Sequence, residues 1–249
     1  MKIVILTAFG VGGATLLGSV IGLFFKRTSR RFNDGAMSVA AGVMLAAALL
    51  GLIIPSLEYG GSGGVFITVL GMFVGAVCLD FFDMLLVRRF DAASLVDDDE
   101  DADRLRRVML FVAAIAIHNL PEGIAAGVGF GTGDAKTGIF IATAIALQNI
   151  PEGMAVIVAM LGVGISPSRT FLIAALTGVV EIIGTFIGYF AVSISAALLP
   201  FILAFAGGNM LYVIADEMIP ETHLDDEGRL STYLLLLGFS VMLFMNAFL

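Results

Sequence analysis

Apolar residues fall into eight blocks of about twenty, at 3–25, 36–56, 65–87, 108–130, 138–162, 170–190, 202–220 and 231–248. A helix of about 20 residues crosses a hydrocarbon core of about 30 Å. Eight such helices take up most of 249 residues and leave no room for a separate domain. The expected fold is an all-α membrane protein with eight transmembrane helices, a single membrane domain over residues 1–249. Composition agrees: 59% of residues are hydrophobic and 14% charged, against about 25% charged in a soluble domain. A net charge of −8 without a basic face argues against a nucleic-acid binder. Cys78, the only cysteine, lies inside an apolar block, which excludes a disulfide scaffold. The first block is too long for a cleavable signal and no A-x-A-like site precedes Lys26, so it reads as a span. The sixth has the least defined end, because apolar character runs on through 193–199 to Pro200.

Basic residues orient the spans. The loops after spans 1, 3, 5 and 7 carry Lys26, Arg27, Arg30, Arg31, Arg88, Arg89, Arg104, Arg106, Arg107, Arg169 and Arg229. Only Lys2 and Lys136 lie on the other side. The expected topology has both termini outside and the odd-numbered loops in the cytoplasm, including an acidic loop near 88–107 that contains 97-DDDEDAD-103. Such a charge run reads as a solvated loop.

Two segments recur. His118-Asn-Leu-Pro-Glu-Gly123 returns thirty residues later as Gln148-Asn-Ile-Pro-Glu-Gly153. More weakly, Gly42-Val-Met44-Leu45 ahead of Ile54-Pro55 echoes Gly208-Asn-Met210-Leu211 ahead of Ile219-Pro220, with Met-to-Pro distances that differ by one residue. Duplicated segments around a mid-membrane site characterise repeat-built transporters.

An ionisable side chain at the centre of a spanning helix costs roughly 2.5–3.5 kcal/mol on insertion scales and requires a partner. Spans 4 to 7 contain His118, Glu122, Glu152, Glu181, Asp216 and Glu217, without a Lys or Arg at that depth. Such a set needs protons or a bound cation. Positions i and i+4 share a helix face, so His118 aligns with Glu122, and Gln148 with Glu152. Asn119 and Asn149, three residues before the glutamates, extend those faces. Pro121 and Pro151 lack N–H groups, so the carbonyls of Ile117 and Leu147 lose their helical donors, and Gly123 and Gly153 permit close helix approach. Asp80 and Asp83 either line a pathway or reach toward the membrane surface. Met44 reads first as packing and second as a thioether ligand.

The paired motif resembles the signature of the ZIP (Zrt/Irt-like) divalent-metal transporters, and Gln148 is similar to the bacterial GufA-type branch. The resemblance runs over nearly the whole chain, including the Ile219-Pro220-Glu221 segment. It implies an inverted-repeat 3+2+3 bundle, with spans 1–3 against 6–8 around spans 4 and 5, together with movement of metal toward the cytosol and a homodimer. It also implies a primary metal site at His118, Glu122, Gln148 and Glu152, with Met44 as a contributor. An adjoining site would comprise Asn119, Glu122, Asn149, Glu152 and Glu181. Many members have histidine where this chain has Gln148, and some bacterial ones aspartate where it has Asn149.

One imidazole among carboxylate and amide oxygens suits Zn²⁺, Fe²⁺, Mn²⁺, Co²⁺ or Cd²⁺ as the transported substrate, zinc foremost. No prosthetic group and no catalysis are expected. Two other functions remain open on the residues alone: an intramembrane metal-dependent hydrolase, and a proton-coupled carrier of organic cations. The first would have to work with one mid-membrane histidine. The absence of a G-x-x-x-x-G-K-[ST] segment leaves nothing in the chain for nucleotide coupling. Expected surroundings are the lipid bilayer, in the plasma membrane of a prokaryote.

Overall fold

The computed structural model describes residues 1–24, 30–89, 99–131, 133, 135–223 and 228–248. Among them are eight helices long and apolar enough to span a membrane: α1 (Lys2–Phe24), α2 (Arg31–Tyr59), α3 (Gly61–Leu85), α4 (Leu105–Phe130), α5 (Ala135–Gly162), α6 (Pro167–Ile194), α7 (Leu199–Thr222) and α8 (Arg229–Phe248). The ambiguous stretch after span 6 is divided by an extended Ser195 and a short turn at Ala196–Leu198. Pro200 then opens α7 from its first turn, where its missing N–H costs no helical bond. Asp97 and Asp98 of the acidic loop lie outside the described residues.

Packing follows an inverted repeat. α4 packs on α6 as α5 packs on α1, and α3 packs on α7 as α8 packs on α2. α2 touches α5 as α7 touches α4, while the pairs α1–α6 and α4–α5 cross the middle. The pattern maps onto itself when α1 exchanges with α6, α2 with α7, α3 with α8 and α4 with α5. Successive spans alternate in direction, so each exchange, over five helices or one, reverses the sense of crossing. Spans 1–3 and 6–8 are thus inverted halves around α4 and α5. The small-residue pairs Gly71/Gly75 and Gly184/Gly188 are used inside this bundle, the first against α7 and the second against α4.

Both α2 and α7 widen into a π-helix, at Ala47–Ile53 and Ile214–Met218. Each segment ends two residues before a proline, Pro55 or Pro220. A proline ring clashes with the carbonyl four residues earlier. Here those are the carbonyls of Gly51 and Asp216, inside the widened turns.

Apolar packing closes one end of the bundle. Leu52, Ile141, Ile145, Leu203 and Ala206 are fully buried in one cluster formed by the halves of α2, α5 and α7 nearest the termini. A smaller cluster, Val112, Ile115, Val156, Ile157, Met160 and Ala174, joins α4, α5 and α6 in the half nearest the basic loops.

Candidate metal site

The two hexapeptides sit midway along α4 and α5, in helices that continue through Pro121 and Pro151. Asn119, Gln148 and Asn149 are fully buried, and Glu122, His118 and Glu152 nearly so. The expected close approach at the glycines is present. A Cβ on Gly123 would run into the Glu181 carbonyl of α6, and one on Gly153 into the Thr15 carbonyl of α1. These contacts bring Glu181 and Thr15 between the motifs.

Polar contacts join the four helices. Gln148 Nε2 donates to Glu122 Oε1. Glu181 Oε1 accepts from Thr15 Oγ1 and from Asn119 Nδ2, each at 2.6 Å, and Glu181 Oε2 accepts from Asn149 Nδ2 at 2.6 Å. Four buried oxygens are left without a donor: Asn119 Oδ1, Glu122 Oε2, Gln148 Oε1 and Asn149 Oδ1. A buried acceptor without a donor costs about 1–3 kcal/mol. The Glu122, Glu152 and Glu181 carboxylates are close enough for their charges to act on one another. Such a core calls for protons or a bound cation.

His118 also reaches α3 and α7. Its Nε2 lies 3.1 Å from Glu217 Oε1 and 3.7 Å from Asp83 Oδ2, and ligand atoms of the three residues fall within 4.8 Å of one another. Glu217 is carried by the π-helical turn of α7, a type of distortion frequent at functional sites. A cavity of about 320 Å³ reaches His118, Glu152 and Glu217. It shares Met37, Phe111 and Glu221 with a second cavity of about 550 Å³ that runs past Asp34 and Arg107 at the basic-loop end. On the opposite side, the buried Met44 and Met210 meet His118 and Glu122 in a closed seam. The site is therefore open toward the basic loops and shut toward the termini.

All eight residues singled out in the sequence converge here, with Met44 at the seam, Glu181 between the motifs and Glu152 at the cavity. Of the paired acids on α3, Asp83 joins His118, whereas Asp80 is exposed and accepts a hydrogen bond from Tyr212 at 3.1 Å. Sequence reasoning noted Glu217 as an unpaired acid but not as a partner of His118, and it missed Thr15. A signal for Thr15 exists: Gly12-x-x-Thr15-x-x-Gly18-Ser19-x-x-Gly22 aligns with Gly178-x-x-Glu181-x-x-Gly184-Thr185-x-x-Gly188, 166 residues on.

The chain as a whole is similar to known zinc transporters. The family model described as ZIP Zinc transporter matches residues 91–246. The chain is 35% identical to the zinc transporter GufA of Myxococcus xanthus over 94% of each chain. It is 35% identical to the zinc transporter ZIPB of Bordetella bronchiseptica over 94% of this chain and 77% of that one. With the human zinc transporter ZIP11 the identity is 31%, over 96% of this chain and 95% of the relative.

Proposed function

The chain belongs to the ZIP zinc transporter family, and from that premise we propose that it moves divalent transition metals, zinc foremost, across the membrane toward the cytoplasm. The observation that carries this reading is the set of donor-less buried oxygens beside mutually interacting carboxylates. Glu122, Glu152 and Gln148 supply oxygen ligands and His118 supplies nitrogen, with Met44 lying over them. Asn119 and Asn149 form the adjoining position, with Glu181 hydrogen-bonded to their amides. Iron, manganese, cobalt and cadmium fit the same donor set. A mixed shell of this kind binds an ion and also releases it, which transport requires.

Asp83, His118 and Glu217 then form the step between this site and the cavity. His118 belongs to both groups, so rotation of one ring passes an ion from the buried carboxylates toward Glu217. The excess of basic residues in the loops after odd-numbered spans supports a cytoplasmic location for those loops, and with them for the cavity mouth. The termini are then extracytoplasmic in a prokaryotic plasma membrane, and the arrangement is one ready to release inward. A homodimer is part of the proposal on family grounds; the small-residue pairs on α3 and α6 give it no support, being occupied within the chain.

Radiolabelled zinc flux into proteoliposomes tests this function. Saturable, protein-dependent flux that is competed by cadmium is expected. Absence of flux together with metal-dependent hydrolysis, or flux of organic cations without metal dependence, would replace this function with one of the other two.

A further inference from the structure

We propose that Glu181 is a positioning residue and not a metal ligand: its carboxylate orients the amides of Asn119 and Asn149 so that their oxygens face the transported ion. This role depends on the ion site proposed above and adds an assignment within it.

Glu181 is fully buried, and the hydrogen-bonding capacity of its two oxygens is largely used. Thr15 and Asn119 donate to Oε1 and Asn149 to Oε2, all at 2.6 Å. Asparagine offers N–H donors on one side of its amide and an oxygen acceptor on the other. An ionised carboxylate only accepts, so each amide must turn its NH₂ toward Glu181. The amide oxygens are thereby directed away from it. These are the oxygens that lack donors, Asn119 Oδ1 and Asn149 Oδ1. One carboxylate thus aligns two equivalent asparagines, from α4 and α5, in one geometry.

The inverted repeat accounts for the third donor. Thr15 of α1 stands where the repeat places Glu181 in α6, 166 residues apart, and its hydroxyl donates across the junction. A glutamate in both copies would set two carboxylates against each other; threonine in one copy supplies a donor. The charge of Glu181 is thus met by three donors from three other helices. Displacing them to bind a second ion would leave the Thr15 and Asn119 donors unpaired, at about 1–3 kcal/mol each, and Asn149 Nδ2 with only its 3.2 Å bond to the Val11 carbonyl.

The test measures zinc bound per chain and its dissociation constant for the purified full chain in detergent, by equilibrium dialysis with elemental analysis. The variants are Glu181→Gln, Thr15→Val and Thr15→Ser. For a positioning role, Glu181→Gln keeps the number of ions bound by the unaltered chain but weakens binding about tenfold. Thr15→Val, which preserves volume and removes one donor, weakens it about threefold, and Thr15→Ser restores it. Loss of one ion per chain in Glu181→Gln overturns the proposal, as does unchanged affinity in Thr15→Val. The Thr15 pair decides the matter if Glu181→Gln fails to fold. Failure of the unaltered chain to bind zinc would count against the ion site itself.

Discussion

Gly12 and Gly178 face each other where α1 crosses α6: a Cβ on Gly12 would lie 2.5 Å from the Gly178 carbonyl oxygen, and one on Gly178 would lie 2.8 Å from that of Gly12. Backbone meets backbone here, so neither helix can yield locally. This contact sets the distance across which Thr15, one turn further along α1, donates to Glu181.

Gly12→Ala should therefore lower stability by about 1–3 kcal/mol, the usual cost of overpacking. Gly10→Ala, where nothing lies within 4 Å of the added carbon, serves as the neutral control. Thermal unfolding in detergent measures both, and equal midpoints would mean that the α1–α6 junction is looser than described.

Glu122→Ala and Glu152→Ala should each reduce zinc flux to background while the protein still inserts and folds. Glu122 Oε2 has no protein donor, and Glu152 lines the cavity, so both have an oxygen available to an ion. Flux in proteoliposomes, normalised to folded protein, checks this. Retained flux in either variant would remove that residue from the transport path.

Glu217→Gln should act on release more than on capture. The residue lies 3.1 Å from His118 at the cavity and outside the group of donor-less oxygens. An amide attracts a departing cation less than a carboxylate does. We expect the maximal rate to fall by about tenfold, a barrier change of about 1.4 kcal/mol, with a smaller change in the half-saturating zinc concentration. A pure affinity loss would place Glu217 at the capture site instead.

Gln148→His should tighten zinc binding and raise the zinc-to-manganese ratio. Imidazole nitrogen is a good zinc ligand, at about 2.0–2.1 Å, and manganese is the weaker partner in the divalent series. A ring N–H can still donate to Glu122, as the Gln148 amide does. Half-saturation should fall by roughly tenfold, about 1.4 kcal/mol, and maximal rate should fall as release slows. Competition flux with both metals measures the ratio. An unchanged ratio would mean that residue 148 does not touch the ion.

Element identity and much of the site could be read along the chain. The spans follow from a local quantity, apolar length, which the bilayer converts directly into helix. His118 with Glu122, and Gln148 with Glu152, follow from helical periodicity, because residues four apart share a face in any helix. Unpaired acids in apolar surroundings called for protons or a bound cation for the same reason, since their insertion cost does not depend on the fold. What pairs with what was a different matter. Helix-to-helix contacts decide it, and those form where glycines such as Gly123, Gly153, Gly12 and Gly178 let backbones approach. Only the tertiary structure turns His118 toward Asp83 and Glu217, joins Thr15 to Glu181 and divides Asp80 from Asp83. It alone opens the site toward the basic loops and seals it toward the termini. The inverted halves carry similar spans, as the Thr15 and Glu181 segments show. The opening therefore depends on which half's side chains close over the site, a choice made by long-range contact that no single helix encodes.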